Sequence, residues 1–238
     1  MRIRLSVAAA VSLALLAAIP AMAAVRDEHT FKLKLSAKTP KKSTSVTFST
    51  VRNPAPPAPG TKPPRVAKIV FALPTGTKFN TAAATRCSLS ALQAQGAAGC
   101  KAGTAIGGGS AVADTGTLLG SVTQQVAVYA TTTGLVAVLT GLQTAVLPLT
   151  VKANKITAVL PRICLPPGTP ANDCASGEVV LKSLDVTLKA RTKGTGSRTR
   201  RLVTTPAKCA GGRWKSRATY TFANGDTEAK TSISKCRA

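Results

Sequence analysis

Acid–base chemistry in this chain depends on very few side chains, one histidine and eight acidic residues among 238. A Ser-His-Asp or Cys-His site needs a histidine as general base, and His29 lies near the start of the expected mature chain, where ends are often loose. Paired carboxylates could hydrolyse a glycan, but the spacing of the acids nominates no pair. The acidic residues are Asp27, Glu28, Asp114, Asp173, Glu178, Asp185, Asp226 and Glu228. No catalytic residue is therefore predicted.

Two short motifs could suggest catalysis or phosphate binding, and both are incomplete. Ser232 to Lys235 matches the S-x-x-K motif of penicillin-recognising enzymes, but neither S-D-N nor K-T-G accompanies it. The glycines at 107–109 lack the following Lys-Ser/Thr of a P-loop. We therefore expect a non-enzymatic protein and keep a small carboxylate-based hydrolase of envelope glycan as an alternative.

Six cysteines in an exported chain favour three disulfides, although fifteen pairings are possible from sequence alone. The candidates are Cys87, Cys100, Cys164, Cys174, Cys209 and Cys236. Successive cysteines bracket three local segments: a short helical stretch at 87–100, a proline-rich loop at 164–174 and a hairpin at 209–236. Each segment could be stapled to itself. Without a C-x-x-C pair, and with a single histidine, no metal site and no cofactor are predicted.

Positive charge is the clearest functional signal, because such a field concentrates polyanions near the protein. The formal charge of +24 becomes +22 once Arg2 and Arg4 leave with the leader. One glycine-containing loop is especially cationic and supplies the candidate anion contacts. They are Arg191, Lys193, Arg198, Arg200 and Arg201. Anionic cell-wall polymers or polysaccharides are the expected partners, and the alternative is that the charge serves solubility.

Nucleic acid is a less favoured partner because the chain has only one Trp, two Tyr and five Phe for base stacking.

Residues 1–23 combine a basic start, an apolar run and an A-x-A site, which predicts a secretory signal peptide. The protein is therefore expected to be secreted, either extracellular or associated with the cell envelope. The uncharged stretch 115–151 is interrupted by Thr, Gly and Pro, so it predicts strands, and no transmembrane span is expected after cleavage.

Period-two alternation of apolar residues predicts about ten strands. They are expected at 29–35, 45–51, 66–73, 126–130, 135–139, 147–153, 155–160, 179–189, 214–222 and 227–235. Ser88 and Gly96 fit the cap and the stop of one short helix, and the glycines at 107–109 suit a bulge or a close backbone approach. The fold class predicted is all-β, an antiparallel β-sandwich, Ig-like or related, with one short helix and disulfide-stapled loops.

Six prolines in twelve residues divide the expected mature chain. We expect N-terminal strands at 24–52, an extended proline-rich connection at 53–64, and a β-sandwich domain at 65–238 that ends in a hairpin at 202–238. Whether the N-terminal strands pack on the main domain stays open.

Four motifs carry a family resemblance. LP-x-G-T-K-F-N begins at Leu73, T-R-C-S-x-x-x-L at Thr85, and G-C-x-A-G-T-x-I-G-x-G-x-A at Gly99. The ending C-x-x-G-x-W-x(5)-Y-x-F-x-x-G-D begins at Cys209. Together they resemble a family of uncharacterised secreted proteins from high-GC Gram-positive bacteria over roughly residues 66–238. The resemblance implies export but transfers no activity and no catalytic residue.

These observations predict an exported, non-enzymatic structural or binding module of the cell envelope or extracellular space. Its cationic surface would contact anionic polymers. Besides the hydrolase, a cationic toxin or inhibitor is the other alternative.

Overall fold

Residues 28–53, 64–115, 120–141, 143–164, 174 and 178–237 are described by the structure, a computed structural model. The expected signal peptide, most of the proline-rich connection, and the acids Asp27 and Asp173 lie outside these ranges. The predictions made for them therefore stay predictions.

Alternating apolar and polar side chains form strands through most of the described chain. The strands are β1 (His29–Leu35), β2 (Val46–Arg52), β3 (Val66–Ala72), β4 (Lys78–Phe79), β5 (Gly107–Asp114), β6 (Ser121–Ala130), β7 (Leu135–Thr140), β8 (Ala145–Lys152), β9 (Lys155–Val159), β10 (Val180–Leu188), β11 (Thr192–Lys193), β12 (Arg200–Arg201), β13 (Val203–Thr204), β14 (Arg213–Phe222) and β15 (Thr227–Lys235). In β1 the alternation is complete, with every second side chain buried.

Eleven strands form one antiparallel sheet in the order β1-β2-β10-β5-β6-β7-β8-β9-β3-β14-β15. The sheet curves until its first and last strands lie side by side. There the Leu33 N–H donates to Ser232 Oγ over 2.9 Å, and Ser234 Oγ donates to the Leu33 carbonyl over 2.9 Å. Side-chain hydrogen bonds thus join β1 to β15, and the sheet is a nearly closed cylinder.

The prediction of a mostly β protein with antiparallel strands, one short helix and disulfides is confirmed. The structure does not show a sandwich, because the long strands follow one another in a single sheet. β1 and β2 belong to this sheet, with β2 paired to β10. Period-two alternation indicates which face of a strand is buried, and it is equally compatible with two packed sheets or one curved sheet.

The one α-helix among the described residues, α1 (Leu89–Gln95), begins and ends at the residues that the sequence indicated. Ser88 Oγ accepts a hydrogen bond from the Ala91 N–H, and Gly96 ends the helix with a φ of 57°. Its buried Leu92 packs with Tyr129 and Val138 on the outer face of the sheet. Disulfides join Cys87 to Cys100, Cys164 to Cys174 and Cys209 to Cys236.

Connections between antiparallel strands fall at the two ends of the cylinder. At one end, which we call the long-loop end, strands are joined or followed by the segments 36–45, 73–106, 131–134, 153–154, 189–212 and 236–237; within 73–106, α1 extends over the outer face of the sheet. The turn 223–226 between β14 and β15 lies at the opposite end. Two loops of the long-loop end are far longer than a hairpin needs, and they position the first candidate site.

Aromatic side chains fill one part of the interior. Phe31 and Phe48 contact Phe71, with ring centroids 5.8 and 5.0 Å from it, respectively. Tyr220 and Phe222 of β14 are buried beside β1. The part of the cylinder that contains β5 to β10 carries no aromatic side chain on its inner face in the described strands, and it is packed less completely.

Candidate functional site

The five predicted anion contacts lie on one short β-ribbon, residues 191–201, which we call the cationic ribbon. Thr192 pairs with Arg201, and Lys193 pairs with Arg200. Gly194 permits the tight return with a φ of 84°, where a Cβ atom would lie 2.7 Å from the Arg198 carbonyl oxygen. The five cations are therefore held on one hairpin. Four of them are exposed, and Arg201 is half-buried.

Hydrogen bonds fix this ribbon to two neighbouring loops. Arg201 Nη1 donates to the Lys41 carbonyl over 3.0 Å, and Arg191 Nη2 donates to the Ala105 carbonyl over 3.3 Å. The Lys41 N–H in turn donates to the Pro206 carbonyl over 3.1 Å. The segments 36–45 and 73–106 thus lie against the ribbon, although neither is adjacent to it in sequence.

A buried threonine and a short pair of strands also hold the same three segments together. Thr205 Oγ1 accepts a hydrogen bond from the Lys42 N–H over 2.9 Å and donates to the Thr39 carbonyl over 2.8 Å. Strand β4 pairs with β13 so that Lys78 lies opposite Thr204. Lys42, Lys78 and Lys193, which come from three separate segments of the chain, therefore lie on one surface.

Charge at the long-loop end has a single sign. Its segments contain fourteen lysine and arginine residues and no aspartate or glutamate. The cations are Lys38, Lys41, Lys42, Lys78, Arg86, Lys101, Lys189, Arg191, Lys193, Arg198, Arg200, Arg201, Lys208 and Arg237. Among the described residues, none of them forms a salt bridge. Unopposed charges of one sign at one end produce a strong local positive potential.

Acidic residues gather towards the opposite end, where cations or polar groups engage several of them. The carboxylate of Glu28 lies 2.7 Å from Arg52 Nη2, and that of Glu178 contacts Arg162. Asp226 Oδ2 accepts a hydrogen bond from the Asn224 amide over 2.8 Å. Asp185 is exposed on β10, between the two ends. The contacts of these carboxylates are those of structural ion pairs and turns.

His29 is buried, 5% exposed, and does not lie in a loose chain end as the sequence suggested. Its Nδ1 lies 2.6 Å from Glu228 Oε2, and its ring stacks on Tyr220 at 4.0 Å. Burial lowers the pKa of His29, although the Glu228 carboxylate opposes that shift. Burial also raises the pKa of Tyr220 to about 12. The pair joins β1 to β15 and thereby closes the cylinder.

The S-x-x-K residues serve the same closure. Ser232 Oγ accepts a hydrogen bond from the Leu33 backbone, as described above, and also lies 3.5 Å from the Leu33 carbonyl. This hydroxyl therefore contacts the backbone at the edge of β1, which is a structural role.

A second candidate site, which the sequence did not indicate, is an apolar cavity of about 100 Å³ inside the cylinder. Its lining in the described part of the chain consists of Ala, Val, Leu, Ile and Phe side chains, contributed mainly by β2, β3 and β5 to β10. A second pocket of about 70 Å³ shares several lining residues with it and reaches Arg65.

The cavity escaped sequence analysis because alternation shows that a side chain points inward and not whether it meets the opposite wall. One signal was present in the sequence. Ala111, Ala137 and Ala158 occupy inward positions of their strands, where larger side chains would have filled the space. Small inward residues on several strands are what a partly open interior requires.

Comparison with protein-family models, with curated proteins and with solved structures finds no match. The family resemblance in the four sequence motifs therefore stays a prediction. Within the described ranges, no three His, Cys, Asp or Glu side chains cluster as metal ligands would. The described helices include none that is long and apolar enough to cross a membrane.

Proposed function

We propose that this protein acts outside the cell as a non-enzymatic binding module that contacts anionic polymers of the envelope through its long-loop end. The observation that carries the proposal is the set of fourteen unopposed cations at that end. The three disulfides add support, because they indicate folding in an oxidising compartment.

The construction of the surface suits a repeating polyanion. Arginines predominate on the cationic ribbon, and a guanidinium can form two parallel hydrogen bonds to a phosphate or carboxylate group. Because hydrogen bonds to neighbouring loops hold Arg191 and Arg201, ordering them on binding costs little additional entropy. A polymer with many charges can engage several such positions at once, so weak contacts combine into useful avidity.

Sedimentation with isolated Gram-positive cell walls tests the proposal directly. The purified protein is mixed with walls before and after removal of their anionic polymers, over a series of salt concentrations. We expect co-sedimentation that requires the polymers and weakens as salt rises, because exposed charges are screened. Failure to bind at low salt would overturn the proposal and leave the charge as a solubility feature.

Variants of equal charge separate a local surface from a general charge effect. The first variant replaces the five ribbon cations, Arg191, Lys193, Arg198, Arg200 and Arg201, with Gln. The matched control replaces five exposed cations on the outer faces of strands, Lys32, Lys34, Lys68, Lys215 and Arg217, with Gln.

At about 0.5 kcal/mol for each exposed contact, the ribbon variant should bind on the order of fiftyfold more weakly than the wild type. The control should lose much less affinity, because its charges lie outside the surface. Equal losses in the two variants would show that total charge, and not the long-loop end, drives binding.

A further inference from the structure

We infer that the interior of the cylinder binds an aliphatic chain whose anionic head lies at Arg65. This inference concerns a separate site and does not depend on polymer binding at the long-loop end. It starts from the cavity of about 100 Å³ and from the pocket of about 70 Å³ that adjoins it.

The chemistry of the walls selects an apolar occupant. Every described side chain that lines the larger cavity is aliphatic or Phe, so a polar ligand would lose its hydrogen bonds to water and gain none from these residues. Apolar cavities of this order remain dry and accept small hydrocarbons. An aliphatic group can therefore occupy the cavity without displacing bound water.

Several apolar side chains that line the cavity are only half-buried. Leu147 and Leu149 of β8, and Leu181 and Leu184 of β10, pack against the buried core yet remain only half-buried. Their side chains thus face open space on one side and forgo the dispersion contacts of a filled core. An aliphatic chain between β8 and β10 would supply those contacts.

The second pocket indicates the head group. It shares Leu147 and Leu181 with the larger cavity and extends to Arg65, so the two spaces adjoin and together form a site with one polar end. Arg65 and Arg162 both approach the single carboxylate of Glu178, with Arg65 Nε 3.8 Å from Glu178 Oε1. Among the described residues, two guanidinium groups therefore face one carboxylate beside this pocket, and this local excess of positive charge is suited to a carboxylate or phosphate head.

Calorimetric titration of the purified, oxidised protein with hexanoate, octanoate, decanoate and palmitate tests the inference. We expect affinity to rise by roughly fourfold for each buried methylene and then to level off when the two spaces are full. Absence of binding by all four acids, or an affinity independent of chain length, would overturn it.

Cavity-filling variants locate the site. Ala137→Phe places a ring in the cavity, whereas Val159→Phe adds the same bulk to the outer face of β9, where Val159 is 65% exposed. We expect the first variant to reduce decanoate affinity at least tenfold and the second to leave it within twofold. If Ala137→Phe does not fold, Ala158→Leu fills the same space with a smaller group. Undiminished binding in a folded, filled variant would contradict the assignment.

The head group is tested separately with Arg65→Gln. This variant should bind decanoate at least fivefold more weakly while binding decanol as the wild type does, because only the acid carries a charge. An equal loss for both ligands would show that Arg65 acts by shaping the pocket and not by holding an anion, and that result would overturn the assignment of the head.

Discussion

Closure of the cylinder depends on a few polar residues between β1 and β15. The Glu228 carboxylate accepts from the His29 N–H over 2.8 Å, lies 2.6 Å from the His29 ring, and is 3.2 Å from Lys230 Nζ. Thr50 Oγ1 and Tyr220 Oη are 2.6 Å apart beneath the same ring. These contacts form a connected buried network, and a change at one member therefore affects the others.

The His29 site predicts a specific dependence of stability on pH. The charges of Glu228, Arg52 and Glu28 act on its ring. Because burial lowers the pKa of His29 in the folded protein, the unfolded chain binds a proton first as the pH falls below about 6.5. The free energy of unfolding should therefore decrease from about pH 7 to about pH 5.

Urea denaturation of the wild type and of His29→Gln over that interval checks this prediction. The variant should show a flatter dependence on pH, since Gln can still donate to Glu228 but does not titrate. Parallel curves for the two proteins would mean that other groups cause the acid sensitivity.

At the scale of elements, two features position the strands. Glycines allow close contact between neighbouring strands, and disulfides connect the ends of loops. A Cβ atom at position 109 of β5 would lie 1.9 Å from the Asp185 carbonyl oxygen of β10, whereas one at position 108 would lie 3.0 Å from the Val126 carbonyl oxygen. The triple glycine thus serves close packing of neighbouring strands, one of the two roles that its sequence allowed.

Substitution of these glycines should give unequal losses of stability. We expect Gly109→Ala to lower the free energy of unfolding by about 2 to 3 kcal/mol, because β5 and β10 must move apart. Gly108→Ala should cost clearly less, since its contact needs only a small shift. Chemical denaturation of both variants measures the difference, and equal costs would contradict the close approach at position 109.

The disulfide between Cys209 and Cys236 closes the longest of the three loops, with a separation of 27 residues. The chain-entropy relation predicts a contribution of about 3.5 kcal/mol for it and about 3 kcal/mol for Cys87–Cys100, which has a separation of 13. Double Cys→Ser variants, compared by guanidinium denaturation, should follow this order. A larger loss for the shorter loop would show that local packing around α1, and not loop closure, dominates.

At the scale of the whole molecule, sequence patterns located elements far better than they located neighbours. The prediction for 29–35 coincides with β1, and the Ser88 cap and the Gly96 stop bound α1 correctly. Pairing of β3 between β9 and β14 could not be predicted, because it joins segments that lie far apart in the chain. Local alternation contains no information about such partners.

The same distinction applies to the candidate sites. The cationic ribbon was visible as a run of charges, but its contacts with 36–45 and 73–106 arise only in the folded chain. The cavity depends on the distance between opposite walls of the cylinder, and the sequence pattern of one strand does not show that distance.

The separation of charge along the cylinder also makes the protein an electric dipole. Near an anionic surface, a dipole turns until its positive end faces that surface. The protein would then stand upright, with its long-loop end against the polymer and the turn 223–226 pointing outward. In that orientation Arg65, just before the start of β3 at the opposite end, and the pocket that it lines would lie away from the surface that holds the protein.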